Sequence, residues 1–277
     1  MPYAVKEKGG CMDKAGQKYW NDSWASSDIP HAVNPSETAL ENYINRRFHQ
    51  LFIKWFDKSE TSSMRLLEVG CAKSSWLPYF AKEFGFRVCG IDYSPNGCQI
   101  ARTVLQANGV DAEIVCADLF SPPANMLGTF DVVVSFGVVE HFDDTASCLR
   151  AVSLFLKPRG LLITNIPNMV GWIGSIQKLV NKPVYDIHQL IDPARLREAH
   201  EFAGLNILEC DYFVCTNFGV NNLIGMPTNT ATGFVRKALL GALSRISMLV
   251  WLIENKIGSF SPSRYTSPYI NCIARKP

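Results

Sequence analysis

The sequence predicts an α/β protein: a doubly wound, mostly parallel, seven-stranded sheet with helices on both faces. Three observations predict it. Between Met64 and Phe213, short apolar runs alternate with amphipathic helical patterns, the rhythm that yields parallel strands. Phe130–Ser135 has the near-continuous apolar character of a central strand covered on both faces. Successive strand ends carry Glu68 and Gly70, Asp92, Asp118 and Phe136. In such sheets ligands bind outside the carboxyl ends of the strands, and a tight turn beside carboxylates suits a nucleoside.

The elements follow in order. Residues 1–63 read as an N-terminal arm, irregular at first, with Tyr19, Trp20 and Trp24 as notable aromatics. Asn34 as N-cap, Pro35 in the first turn and Glu37 predict a helix reaching about Asp57, with Leu40, Ile44, Phe48, Leu51, Phe52 and Trp55 on its apolar face. Lys58–Ser63 reads as a linker. Residues 64–213 form the core. Strands are expected at Arg65–Val69, Arg87–Ile91, Ala112–Cys116, Phe130–Ser135, Leu161–Ile166 and about Asn206–Phe213. Helices are expected at about Ser75–Phe84 (stopped by Gly85), from Ser94-Pro95 to Asn108-Gly109, over Thr145–Leu156 up to the turn Lys157–Gly160, and from Asp192-Pro193 to Gly204. Residues 214–265 are a helical insertion with a helix over Gly233–Asn255, and 266–277 supply the last strand at Tyr269–Ala274.

Composition narrows the class. A hydrophobic share of 47% with 19% charged residues describes a folded globular chain. The net charge of +2 comes from scattered basic residues, pairs at most (Lys6 and Lys8, Arg46 and Arg47, Arg236 and Lys237), which argues against nucleic acid. The 9 cysteines fall mostly inside apolar patterns, as thiols of a reducing compartment do. No CxxC and no Cys/His zinc spacing occurs, so no metal is expected. Met1–Gly10 lacks an apolar leader core, which points to the cytoplasm.

The run Glu68-Val69-Gly70-Cys71-Ala72, then Gly90-Ile91-Asp92-Tyr93-Ser94, then Cys116-Ala117-Asp118-Leu119, then Phe130 through Phe136-Gly137-Val138-Val139-Glu140-His141, and finally Lys157–Leu162 resembles the class I S-adenosyl-L-methionine (SAM)-dependent methyltransferases, whose core is Rossmann-like. The resemblance covers residues 64–213, somewhat over half of the chain. It implies SAM as cofactor and S-adenosyl-L-homocysteine as product. It implies contacts from Glu68, Gly70, Cys71, Ala72, Tyr93 and Leu119, a ribose contact at Asp92, an adenine contact at Asp118, and a methionine-end contact at Phe136 and Gly137. The chain has Ala72 and Ser74 where the family commonly has glycine; alanine is small enough for close backbone approach, and Ser74 could cap the next helix. A dinucleotide fingerprint needs three glycines to pass a pyrophosphate, and only Gly70 is present.

Methyl transfer from a sulfonium needs alignment, exclusion of water and, at times, a base. His141 is the first candidate base, because it follows the last motif and an unperturbed histidine titrates near neutrality. His188 is the second; in each case a structural role is the alternative. His31, His49 and His200 read as surface or packing residues. Glu140 either meets the cofactor's amino end or caps the next helix. Tyr19 and Trp24 are candidate substrate contacts on a lid, or packing residues of the arm, and Asn168 either orients the substrate or makes a plain turn. The apolar end of the insertion, ISMLVWLIE, is interrupted upstream by Ser244 and Arg245 and is too short to span a bilayer. It is expected to be a buried cap, a dimer interface or a lipid contact. The expectation is a methyltransferase acting on a small molecule, hydrophobic if the insertion caps the acceptor pocket, at oxygen first and nitrogen next, as monomer or homodimer. A SAM-fold binding protein without catalysis is the rival.

Overall fold

The computed structural model describes residues 11–25 and 28–277. Met1–Gly10, with the leader expectation and the pair Lys6 and Lys8, lies outside them.

One seven-stranded sheet organises the chain: β1 (Arg65–Val69), β2 (Arg87–Asp92), β3 (Glu113–Cys116), β4 (Phe130–Phe136), β5 (Leu156–Pro167), β6 (Asn206–Phe213) and β7 (Tyr269–Arg275). The order is β3-β2-β1-β4-β5-β7-β6. β7 enters antiparallel between β5 and β6; the other neighbouring pairs are parallel. β1 is central: Leu66 pairs with Val88 on one side and Val132 on the other. The strand order reverses between β1 and β4, which opens a crevice at their carboxyl ends.

Strand alternation makes two cores, because successive side chains point to opposite faces. Leu67, Val133 and Leu162 pack with Leu149, Val152 and Leu196 on one face. Leu66, Val132, Val134 and Ile163 pack with Phe48, Phe52, Leu77 and Phe80 on the other. The first face is covered by α6 (Thr145–Ser153) and α9 (Pro193–Phe202). The second is covered by α2 (Tyr43–Phe52), α4 (Trp76–Phe84) and α5 (Pro95–Ala107). Phe52 and Phe80 are fully buried, each contributing roughly 1.5–3 kcal/mol of apolar transfer. Side-chain caps set three of these starts: Ser94 accepts from Gly97 N, Asp144 from Ser147 N, and Asp192 from Arg195 N.

Four local expectations differ from the structure. The arm helix begins at Tyr43, after a 3-10 turn at Leu40–Asn42, and not at Asn34. Asn34 spends its side chain on Ser36 N, and the carbonyls that a helix would use are taken by side chains: Asn42 Nδ2 binds Asn34 O and Glu37 O, and Arg46 Nη1 binds Glu37 O and Ala39 O. The expected linker holds a short helix, α3 (Lys58–Thr61), capped by Asp57. The turn Lys157–Gly160 is a bulge inside β5: Phe130 pairs with Leu156 and Val132 with Leu161, and Lys157 Nζ binds both carboxylate oxygens of Asp131 at 2.8 Å. Two helices that the pattern did not suggest, α7 (Trp172–Val180) and α8 (Lys182–Asp186), follow β5.

The insertion holds α10 (Ala231–Ile257), 27 residues long. Taken over its full length it is long and apolar enough to cross a membrane by length and composition alone, which the apolar end read from the sequence is not. It is not a buried cap: only Gly233, Ser247, Trp251 and Glu254 are buried along it.

Candidate functional site

A cavity opens where β1, β2, β3 and β4 end. At its floor the chain leaves β1 through Gly70, at φ +75°. A Cβ there would sit 2.3 Å from Val138 Cγ2, so only glycine lets the loop after β1 close on the loop after β4. Gly70 N and Ala72 N are fixed, the first to Ile91 O at 2.9 Å and the second to Asp92 Oδ2 at 3.1 Å. Ser94 N holds the other carboxylate oxygen of Asp92 at 2.7 Å. Each oxygen thus receives one backbone donor and keeps a lone pair, which suits two neighbouring hydroxyls. Asp92 is 8% exposed, and burial pushes its carboxyl up to about 6.

Gly70, Ala72, Asp92, Tyr93, Asp118, Leu119, Phe136 and Gly137 all line this cavity, as does His141. Asp118 is oriented by Phe120 N, which donates to its Oδ1 at 2.9 Å. The residues therefore fit a nucleoside cofactor: a thin glycine floor, a carboxylate with lone pairs to spare, and an apolar wall.

The N-terminal arm closes the cavity. α1 (Gln17–Ala25) lies against the start of α5: Asn21 Oδ1 accepts from Asn96 N, and Gln17 Nε2 donates to Tyr93 O. Trp20 and Trp24, stacked 6.0 Å apart, form part of the cavity wall. Asp13 gathers Trp20 Nε1, Ala15 N and the Tyr93 hydroxyl on its carboxylate, and its backbone bridges Phe142. Tyr19 stands edge-on to Trp20 and is absent from the cavity wall. Asp13 and Phe142 are wall residues that sequence reasoning missed; nothing local to Asp13 signals a partner 80 residues away.

Beside the cavity a buried carboxyl and two imidazoles converge. Glu140 is 1% exposed, and neither of its carboxyl oxygens has a hydrogen-bond partner. His141 Nε2 lies 3.9 Å from Glu140 Oε1, and the His141 and His188 rings are 4.5 Å apart. His141 Nδ1 donates to Ile187 O and His188 Nδ1 to Val184 O, which leaves the lone pair of each ring on Nε2. Burial pushes Glu140 up to about 8, His141 down to about 4 and His188 down to about 3. The expectation that His141 titrates near neutrality is corrected: it is neutral there, with a fixed tautomer. Ligand atoms of Glu140, His141 and His188 lie within 4.8 Å of one another, a set that could hold a divalent cation. Spacing along the chain hid it, since 46 residues separate His141 from Ile187 beside His188. His188 does not reach the cavity wall.

Three expected site residues have other places. Glu68 lies 3% exposed behind the wall, where Ser74 Oγ donates to its carboxyl, and Ser74 Oγ in turn accepts from Trp76 N and Leu77 N at the start of α4. Burial pushes Glu68 up to about 8. Cys71 is fully buried, packed so close to Gly90 that a Cβ there would meet its Sγ at 2.5 Å. Asn168 is fully buried and fully used: Nδ2 donates to Arg264 O and Ser267 O, and Oδ1 accepts from Gly171 N. None of the three lines the cavity.

Residues 39–210 match the family described as Methyltransferase domain. Among curated relatives, a ubiquinone biosynthesis O-methyltransferase of Xanthomonas axonopodis pv. citri is 28% identical over 196 residues, covering 66% of this chain and 76% of that one. Among solved structures, a SAM-dependent methyltransferase from Archaeoglobus fulgidus superposes with a TM-score of 0.52 at 17% identity, covering 84% of this chain and 94% of its own. The phosphoethanolamine N-methyltransferase 2 of Haemonchus contortus, solved with SAM, superposes with a TM-score of 0.54 at 16% identity over 84% of this chain and 52% of its own. The family match spans more than half of the sequence and contains every strand that borders the cavity. The chain belongs to the methyltransferase domain family and is a SAM-dependent methyltransferase of the class I fold.

Proposed function

We propose that the chain transfers a methyl group from SAM to a hydroxyl of a small molecule, with His141 as the base. The carrying observation is the placement of a neutral imidazole, its Nε2 lone pair free of hydrogen bonds to protein, on the wall of the cavity that Asp92 and Gly70 define. The similarity to ubiquinone biosynthesis O-methyltransferases supports oxygen over nitrogen.

In this reading Asp92 accepts the ribose hydroxyls, Asp118 and Leu119 hold the adenine, and Phe136 with Gly137 flank the methionine end. SAM supplies an electrophilic methyl on a sulfonium, which becomes a neutral thioether as the methyl leaves. The acceptor oxygen gains the methyl and its proton passes to His141 Nε2. Trp20 and Trp24 exclude water, and alignment itself supplies about 7–11 kcal/mol of barrier reduction. Glu68 and Asn168 act by holding loops rather than ligands. The cytoplasm remains the expected compartment, supported by the burial of seven of the nine cysteines.

Titration calorimetry with SAM and S-adenosyl-L-homocysteine tests the reading. Micromolar binding of both, followed by methyl transfer to hydroxylated acceptors, is the expected result. Binding without transfer to any acceptor panel would favour the non-catalytic rival, and no binding at high micromolar concentration would end both.

A further inference from the structure

We propose that the outward face of α10 docks the protein on an anionic lipid bilayer, lying in the interface rather than spanning it. One stripe of the helix is committed to the domain. Trp251 stacks on Tyr43 and donates Nε1 to Thr216 O at 2.8 Å; Ser247 Oγ accepts from Phe218 N. The opposite arc is apolar and uncovered. At 100° per residue Val235, Ala242, Ile246, Leu249, Ile253 and Ile257 fall on one side. Val235 is 69% exposed, Leu249 61% and Ile257 70%. A continuous apolar strip of this kind marks an interaction surface.

Charge decides the occupant. Residues 215–265 carry Arg236, Lys237, Arg245, Lys256 and Arg264 against a single acid, Glu254, a net +4. The remainder of the chain, which has 27 Lys and Arg and 25 Asp and Glu in all, is left at −2. Glu254 does not weaken the field at the surface: it is 4% exposed, and its carboxylate accepts from the Tyr43 hydroxyl and Phe260 N. Lys237, Arg245, Lys256 and Arg264 are exposed. Along the helix Arg245 and Lys256 border the apolar strip on one side and Arg236 on the other, and apolar residues flanked by cations that can snorkel match an anionic lipid surface. A twofold pairing with a second copy would set these cations against themselves.

Topology separates lying from spanning. The 3-10 turn Phe218–Val220 before the helix packs against it, and β7 after it sits inside the sheet. A span would strip Trp251 and Glu254 from the domain and place Arg245 at mid-depth. This helix lies outside residues 39–210, so the surface belongs to this chain's insertion and not to the part shared with the family. The inference stands apart from the identity of the methyl acceptor.

Vesicle flotation tests it, with extruded phosphatidylcholine vesicles against vesicles that also contain phosphatidylglycerol. Binding to the anionic vesicles at least about tenfold tighter than to the neutral ones is expected, since each Lys or Arg near the surface adds roughly fivefold. Added salt should weaken it. The double variant Leu249→Glu/Ile253→Glu should lose binding while its melting temperature and SAM affinity stay unchanged. A triple variant Arg236→Gln/Arg245→Gln/Lys256→Gln should erase the preference for anionic lipid. No flotation, equal affinity for both vesicles, or retained binding by Leu249→Glu/Ile253→Glu would overturn the proposal. So would resistance to alkaline carbonate stripping, which means a span, or a dimer in light scattering that the same double variant dissolves, which means a second copy.

Discussion

The two halves of the sheet are built differently. From β1 to β4 each strand end delivers several neighbouring residues to the cavity, and short contiguous motifs carry them: Gly70 beside Ala72, Asp92 beside Ser94, Asp118 beside Phe120. From β5 to β7 the geometry is made by staples between distant segments. Asn168 holds Arg264 and Ser267; Gln177 and Asn181 hold Asn222 and Ile224; Trp251 holds Thr216. The first half positions a cofactor with local chemistry, and the second positions an insertion with side-chain amides. Substitutions should therefore separate the two, affecting catalysis or cofactor affinity in one and stability in the other.

The largest separation is expected at His141. Replacing His141 with Gln removes the lone pair on the cavity wall, so turnover should fall about 10²–10⁴-fold, the usual share of a general base. SAM affinity, read by calorimetry, should shift by no more than about threefold, because alignment of the cofactor rests on the strand ends. Unchanged turnover would leave proximity as the whole mechanism. Next is Asn168→Ala. The change leaves two carbonyls and one N–H unpaired at a fully buried site, which costs about 3 kcal/mol of stability in chemical denaturation. SAM affinity in the folded fraction should not change. A weakened cofactor with an unchanged midpoint would move Asn168 from the staples to the site.

The same division explains what the sequence disclosed. The strands, the helix starts at Ser94-Pro95, Thr145 and Asp192-Pro193 and the cavity residues at Gly70, Asp92, Asp118 and Phe136 were legible because each is signalled by residue types a few positions away, even where its contacts are remote. Asn34 misled for the converse reason: its local signals suit a helix start, but Asn42 and Arg46 claim the carbonyls from further along. Asp13 and the Glu140–His141–His188 group were hidden because the fold assembles them from remote segments. For α10 the sequence left a buried cap, a dimer interface and a lipid contact open, because an all-round apolar pattern does not say which side the domain covers.

The smallest effect is expected at Asp92, and it carries a pH signature that a structural role would not. Burial is the main cause that raises this carboxyl from 3.8 to about 6, while the backbone donors Ser94 N and Ala72 N pull it down. Hydroxyl donors from a bound ribose favour the ionised form further, so the liganded carboxyl titrates below the unliganded one. Binding then releases a proton below pH 6: SAM affinity should climb as pH rises from about 4 to about 6 and level off above it. The unliganded fold follows the opposite sign through this group, losing stability as pH rises across that window, because the buried carboxyl is forced to ionise. Asp92→Asn keeps one oxygen to accept from backbone but loses the charge, and should weaken SAM by about 2 kcal/mol, roughly thirtyfold at neutral pH. Its affinity should be flat between pH 4 and 6 where the wild type is sloped. A slope that survives in Asp92→Asn would assign the titration to another group in the cavity and remove Asp92 from the ribose.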